Sequence, residues 1–124
     1  MQFMMLVKSA ESAGPPPQSL MDAIAAMAEE AVEAGRMIMS GGLAPTGMSS
    51  RVRLSQGELI TTDGPFAEAK EVVGGFAMFQ FASKEEAVQS AVSFMELHRQ
   101  HWPGWEGETE IRQMFGPDDF PTRP

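Results

Sequence analysis

Two short stretches of this chain are apolar on both faces, yet only two helical segments accompany them. In residues 2–8, Phe3, Met5 and Val7 alternate with Met4 and Leu6. In Phe76–Ala82, Phe76 and Met78 alternate with Ala77, Phe79 and Phe81. Successive side chains of a strand point to opposite faces, so both stretches read as strands that need cover front and back. Any fold for this chain has to supply that cover.

The helical segments are legible from spacing and caps. Gly14-Pro15-Pro16-Pro17 forbids helix before Ser19, which reads as an N-cap with Asp22 in the first turn. Leu20, Ile24, Met27 and Ala31 then recur at helical spacing, with Asp22, Glu29 and Glu33 opposite and Gly35 as the stop. Ser83-Lys84-Glu85-Glu86 is a capping box. It opens a second helix, to about Gln100, expected to bury Val88, Ala91, Val92 and Met95 and to end at the Trp102-Pro103-Gly104-Trp105 corner. Met37-Ile38-Met39 reads as a short buried strand and Glu110–Phe115 as the last one. Arg51–Ser55 and Glu58–Thr62 form a hairpin around Gln56-Gly57, with Arg51 and Arg53 on one face.

The resulting order is strand, helix, strand, hairpin, strand, helix, strand. That is a ferredoxin-like α+β sandwich with an inserted β-hairpin. Two helices cover one face of a four-stranded sheet. The other face would be a large apolar patch, so a second copy is expected to cover it across a two-fold axis.

Composition narrows the function. At 124 residues the chain makes one domain, with 116–124 as a polar tail. Nine Lys and Arg against 17 Asp and Glu leave a net charge of −8, which repels phosphate backbones and argues against nucleic-acid binding. The absence of cysteine removes disulfides, thiol nucleophiles and thiolate metal sites, and fits a reducing cytoplasm. The apolar run Phe3–Val7 is too short for a membrane span or a signal core.

Thr61-Thr62-Asp63-Gly64-Pro65-Phe66-Ala67-Glu68-Ala69-Lys70-Glu71, followed by Gly74-Gly75, is the densest mixture of turn formers and charges in the chain. This stretch closely resembles the DGPF branch of the YCII-related proteins. The segment His98-Arg99-Gln100-His101-Trp102-Pro103-Gly104-Trp105 with Glu110-Ile111-Arg112 resembles the C-terminal part of the longer DGPF proteins. The resemblance implies a dimeric α+β barrel and leaves the activity open. Some YCII-related proteins carry a first-helix histidine proposed to act with an aspartate. Leu20–Ala34 contains no histidine, so that pair is not carried over.

The candidate chemistry is sparse. Asp63 either lines a cleft as a base or simply forms its turn. Glu68, Lys70 and Glu71 read as a solvated charge cluster, with Lys70 a candidate ligand contact. Gly74-Gly75 lacks the helix start and lysine of a phosphate loop. His98 and His101 are the only histidines, and pairing them with Glu106 or Glu108 as a zinc site lacks a recognisable ligand spacing. The expectation is a cytoplasmic homodimer whose cleft near Asp63–Phe66 binds or converts a small organic molecule, anions among the candidates, with no cofactor or metal. Asp63 and His98 would carry acid–base chemistry, and Arg51, Arg53, Phe66, Lys70, Trp102 and Trp105 would contact the ligand. The alternative is a non-enzymatic regulatory or protein-interaction module, since DGPF proteins resemble companions of extracytoplasmic-function sigma factors.

Overall fold

The computed structural model describes residues 1–119; residues 120–124, most of the expected polar tail, lie outside the described part. Six strands and two helices follow in the order β1 (Gln2–Ser9), α1 (Gln18–Glu33), β2 (Met37–Gly42), β3 (Ser50–Ser55), β4 (Glu58–Asp63), β5 (Val72–Gln80), α2 (Lys84–His101) and β6 (Gly107–Met114). A four-stranded antiparallel sheet has the order β2-β5-β1-β6, and β3-β4 form a separate two-stranded ribbon. This is a mixed α+β arrangement consistent with a ferredoxin-like fold.

Register sorts the two-faced strands. Phe3 lies opposite Phe79, and Met5 lies between Ala77 and Ile111. These residues face the helices and pack with Phe81, Ala31, Ala87 and Ala91 into the core. Phe3 and Leu20 are its largest fully enclosed side chains, each contributing about 1.5–3 kcal/mol of burial. On the reverse face Met4 pairs with Met78 and Leu6 with Phe76, and all four are half-buried. Towards β6 that reverse face turns charged: Lys8 bonds Glu110, and Arg112 sits 3.3 Å from Glu110.

Local chemistry explains the ends of the elements, with some corrections. Helix α1 begins at Gln18, one residue before the expected Ser19 cap, because the Pro17 carbonyl in extended conformation already accepts from the Leu20 and Met21 N–H groups. No side chain caps it, and Asp22 lies beyond the first turn, where Gln18 Nε2 donates to it. The helix closes in a Schellman motif, with Arg36 N–H on Ala31 and Gly35 N–H on Val32. For α2, Ser83 accepts from Glu86 N–H as expected, while the Glu86 carboxylate reaches back to Ala82 N–H.

The buried line of α2 is Ala87, Ala91 and His98. Val92 is exposed, since one residue past Ala91 turns it about 100° off that line. Strand β2 is an edge strand rather than a buried one. An irregularity between Met37 and Met39 turns Ile38 outward, and both Ile38 and Met39 are exposed. The last strand starts three residues earlier than expected, at Gly107, because β1 pairs with it along its whole length. Among the described residues no helix is long and apolar enough to cross a membrane.

Candidate functional site

The site is built where α2 ends. Trp102 N–H bonds the His98 carbonyl, and Trp105 N–H bonds the Trp102 carbonyl across a Pro103-Gly104 turn. The turn brings the two indoles into near-parallel stacking, with centroids 5.8 Å apart at 23°. The Trp105 ring lies across Gly107, where a Cβ would come within 2.4 Å of the indole and 2.6 Å of the Lys8 carbonyl. A glycine is therefore what lets Trp105 fold back over the start of β6.

His98 packs between the rings of Trp105 and Phe94. It is 6% exposed, 4.5 Å from Trp105 and edge-on to Phe94 at 4.7 Å. Its Nδ1 is 3.0 Å from the Phe94 carbonyl, which can only accept, so Nδ1 carries the proton. In the neutral ring Nε2 is then an acceptor, and it has no partner among the described residues. No fully enclosed side-chain nitrogen or oxygen lacks a partner among those residues, so this Nε2 keeps an opening.

His98 lines a half-open cavity of about 1290 Å³ between the helices and the sheet. Met5, Met21, Met27 and Met37 bring thioethers to its mostly apolar wall, and His98, Trp102 and Trp105 close one end. Binding pockets for small molecules usually span about 300–1,000 Å³, so the space is ample for one. A second cavity of about 380 Å³ shares Leu43, Ala44, Val72 and Val73 with the first, and adds Arg51 and Phe66.

A clasp of polar contacts forms the rim between them. Glu11 accepts from the Thr46 N–H at 2.7 Å and from its hydroxyl, and Thr46 Oγ1 in turn accepts from Phe66 N–H at 3.2 Å. The Thr46 hydroxyl, then its N–H, hold the Glu11 carboxyl below the usual glutamate value. Gly64 N–H donates to the Ser49 carbonyl at 2.7 Å, tying the turn to the same loop.

The expected site residues fall into separate groups. His98, Trp102 and Trp105 line the large cavity. Phe66 is buried beside the smaller one, with the Arg51 guanidinium 3.7 Å above its ring. Arg51 also bonds Glu68, whose carboxyl is held low first by its own backbone N–H and then by Arg51. Asp63 accepts from Ser50 Oγ at 2.7 Å and, like Arg53 and Lys70, lines neither cavity. Asp63 and His98, assigned together to acid–base chemistry, are thus held by different parts of the fold. Among the described residues no three His, Asp or Glu side chains group as metal ligands.

The profile of the YCII-related domain matches residues 1–93 of the chain. The chain belongs to the YCII-related family. An uncharacterized protein of Rhizobium meliloti (strain 1021) is 39% identical to it over 74 residues, which are 60% of this chain and 60% of that relative. The chain thus matches less than two thirds of that relative's length. The YCII-related match takes in β1 to β5 and the first part of α2, and it ends before His98, Trp102 and Trp105. Sequence reasoning reached Trp102 and Trp105 through the Trp-Pro-Gly-Trp corner and His98 as one of two histidines. It missed Glu11, Thr46 and the methionine walls, whose roles arise from segments that meet only in the fold.

Proposed function

We propose that this protein is a DGPF-type member of the YCII-related family that binds a small organic molecule between its helices and its sheet. The single observation behind this reading is the cavity of about 1290 Å³ with an unpartnered His98 nitrogen in its aromatic wall. A half-open, mostly apolar cleft of this size suits a small organic ligand. Binding rather than turnover is the reading, since among the described residues His98 meets one carbonyl and two rings, with no carboxylate to orient it as a base.

The test uses N-phenyl-1-naphthylamine, an uncharged dye that brightens in apolar surroundings. One equivalent should bind per chain and alter the emission of Trp102 and Trp105. Ala28→Trp, which fills the cavity from α1, should abolish that binding. A dye that leaves tryptophan emission unchanged, or that binds the filled variant equally well, overturns the reading.

A protein-contact role is favoured by one other feature, the β3–β4 ribbon. Val52, Thr61, Leu54 and Leu59 share one of its faces, and Val52, Leu54 and Leu59 are 70–74% exposed. Under this second reading the ribbon docks on a signalling partner, of which a sigma factor is the candidate.

A further inference from the structure

Resting on the cavity reading above, we infer that the site selects flat-ringed, lipophilic organic cations bearing an N–H donor, and discriminates against anions. Three independent features of the wall converge on this class.

The first is ring geometry. The near-parallel indoles of Trp102 and Trp105, with His98 tilted 33° against Trp105, form a bank of π-faces. Flat rings pack against such faces, and tryptophan is the side chain whose face best attracts a cation.

The second is the acceptor. With the Nδ1 proton committed to the Phe94 carbonyl, Nε2 of the neutral ring offers a lone pair on a side chain that is itself 6% exposed and lines the cleft. A protonated amine satisfies it by donating, whereas a carboxylate presents only acceptors and leaves it unpaired.

The third is charge. The charged side chains that line the cavity are Glu11, Glu30, Glu85, Glu86 and Arg36. Arg36 is already paired with Glu30, so the remaining wall is negative. Glu85 has no ion-pair or hydrogen-bond partner among the described residues. No lysine lines the space, and the whole chain carries −8. An anion would enter against this field and find no free cation inside.

Calorimetric titration of the full chain at neutral pH with three probes on one skeleton tests the inference. These are 1-naphthylmethylamine (a cation), 1-naphthalenemethanol (neutral) and 1-naphthoate (an anion). The amine should bind about tenfold or more tighter than the naphthoate, as expected for one charge-assisted contact, with the alcohol between them. Because Trp102 and Trp105 are the only tryptophans and there is no tyrosine, their emission reports occupancy of this end of the cavity directly. n-Butylamine, charged but ringless, should leave that emission unchanged.

His98→Phe keeps the ring and removes the acceptor. It should weaken the amine and the alcohol about tenfold while leaving binding of 1-methylnaphthalene, which has no donor, unchanged. His98→Gln, which restores an acceptor oxygen, should recover part of the loss. Naphthoate binding as tightly as the amine would overturn the charge selection while the uncharged dye still bound, leaving the cavity reading intact. Loss of the uncharged dye as well would sink both. Equal affinities in the His98→Phe chain would remove the acceptor role, and should that variant not fold, the probe ranking on the unaltered chain decides.

Discussion

At Gly64 the lack of a side chain decides how the turn docks. A Cβ there would stand 1.6 Å from the Thr46 carbonyl oxygen and 3.3 Å from that of Ser49. Both are backbone atoms, so no rotamer change relieves the clash. Gly64→Ala must push the Asp63–Phe66 turn away from the Thr46 loop and loosen the clasp through Glu11. The expected cost is about 1–3 kcal/mol in denaturant unfolding, typical of overpacking. The neighbouring Ser49→Ala, whose hydroxyl is only 3.4 Å from the Pro45 carbonyl at the surface, should stay near the parent value. The same residue shows how far sequence reasoning reaches. Asp-Gly-Pro-Phe announces a turn through the chemistry of its own residues. What the turn packs against comes from residues 46–49, and nothing in the motif names them.

Among the elements, β1 and β6 are joined by more than their ladder, because Lys8 reaches across to Glu110. The hydrogen bond from Lys8 holds the Glu110 carboxyl below its usual value, and the hydrogen bond to Glu110 raises the lysine. A carboxyl lowered on folding contributes stability that is complete above its unfolded value of about 4.3 and is lost as pH falls through the folded one. A raised lysine contributes fully below its unfolded value and loses this as pH climbs through the folded one. Thermal melts of Glu110→Gln should therefore converge with the parent in acid and separate near neutral pH. Curves that stay parallel throughout would show that the pair adds nothing. Elements of this kind were readable wherever a rule acts within one segment: the Ser83 cap, the Gly35 stop, the two-faced strands. The exposure of Ile38 and Met39 was not, since a β2 irregularity and an edge position depend on neighbours. The cavity was also invisible, because a gap between layers depends on side chains from four or five segments at once.

For the whole molecule, the uncovered side of the sheet is the larger question. Met4, Leu6, Phe76 and Met78 form a contiguous apolar area there, bordered on the β6 side by Lys8, Glu110 and Arg112. We propose that a second copy covers it, its own area meeting this one across a two-fold axis. Sedimentation should then give a dimer, and Leu6→Lys together with Met78→Lys should yield monomers that keep helical circular dichroism. A monomeric parent chain would refute the pairing. Phe76 belongs both to this apolar area and to the lining of the large cavity, so dye binding in the separated copies tells whether site and assembly are independent.

The ribbon leaves the domain after Ser49 and returns at Gly64, and a single hydrogen bond of 2.7 Å links these two residues. Ser50 and Asp63 repeat the link one step further out. Departure and return are thus sewn side by side, like the neck of a drawstring bag. Beyond Arg51, which packs on Phe66 and bonds Glu68, the ribbon can be trimmed by matched pairs of residues, or exchanged for foreign peptide, without changing the span the rest of the chain must bridge. Evolution and the protein engineer are offered the same splice point.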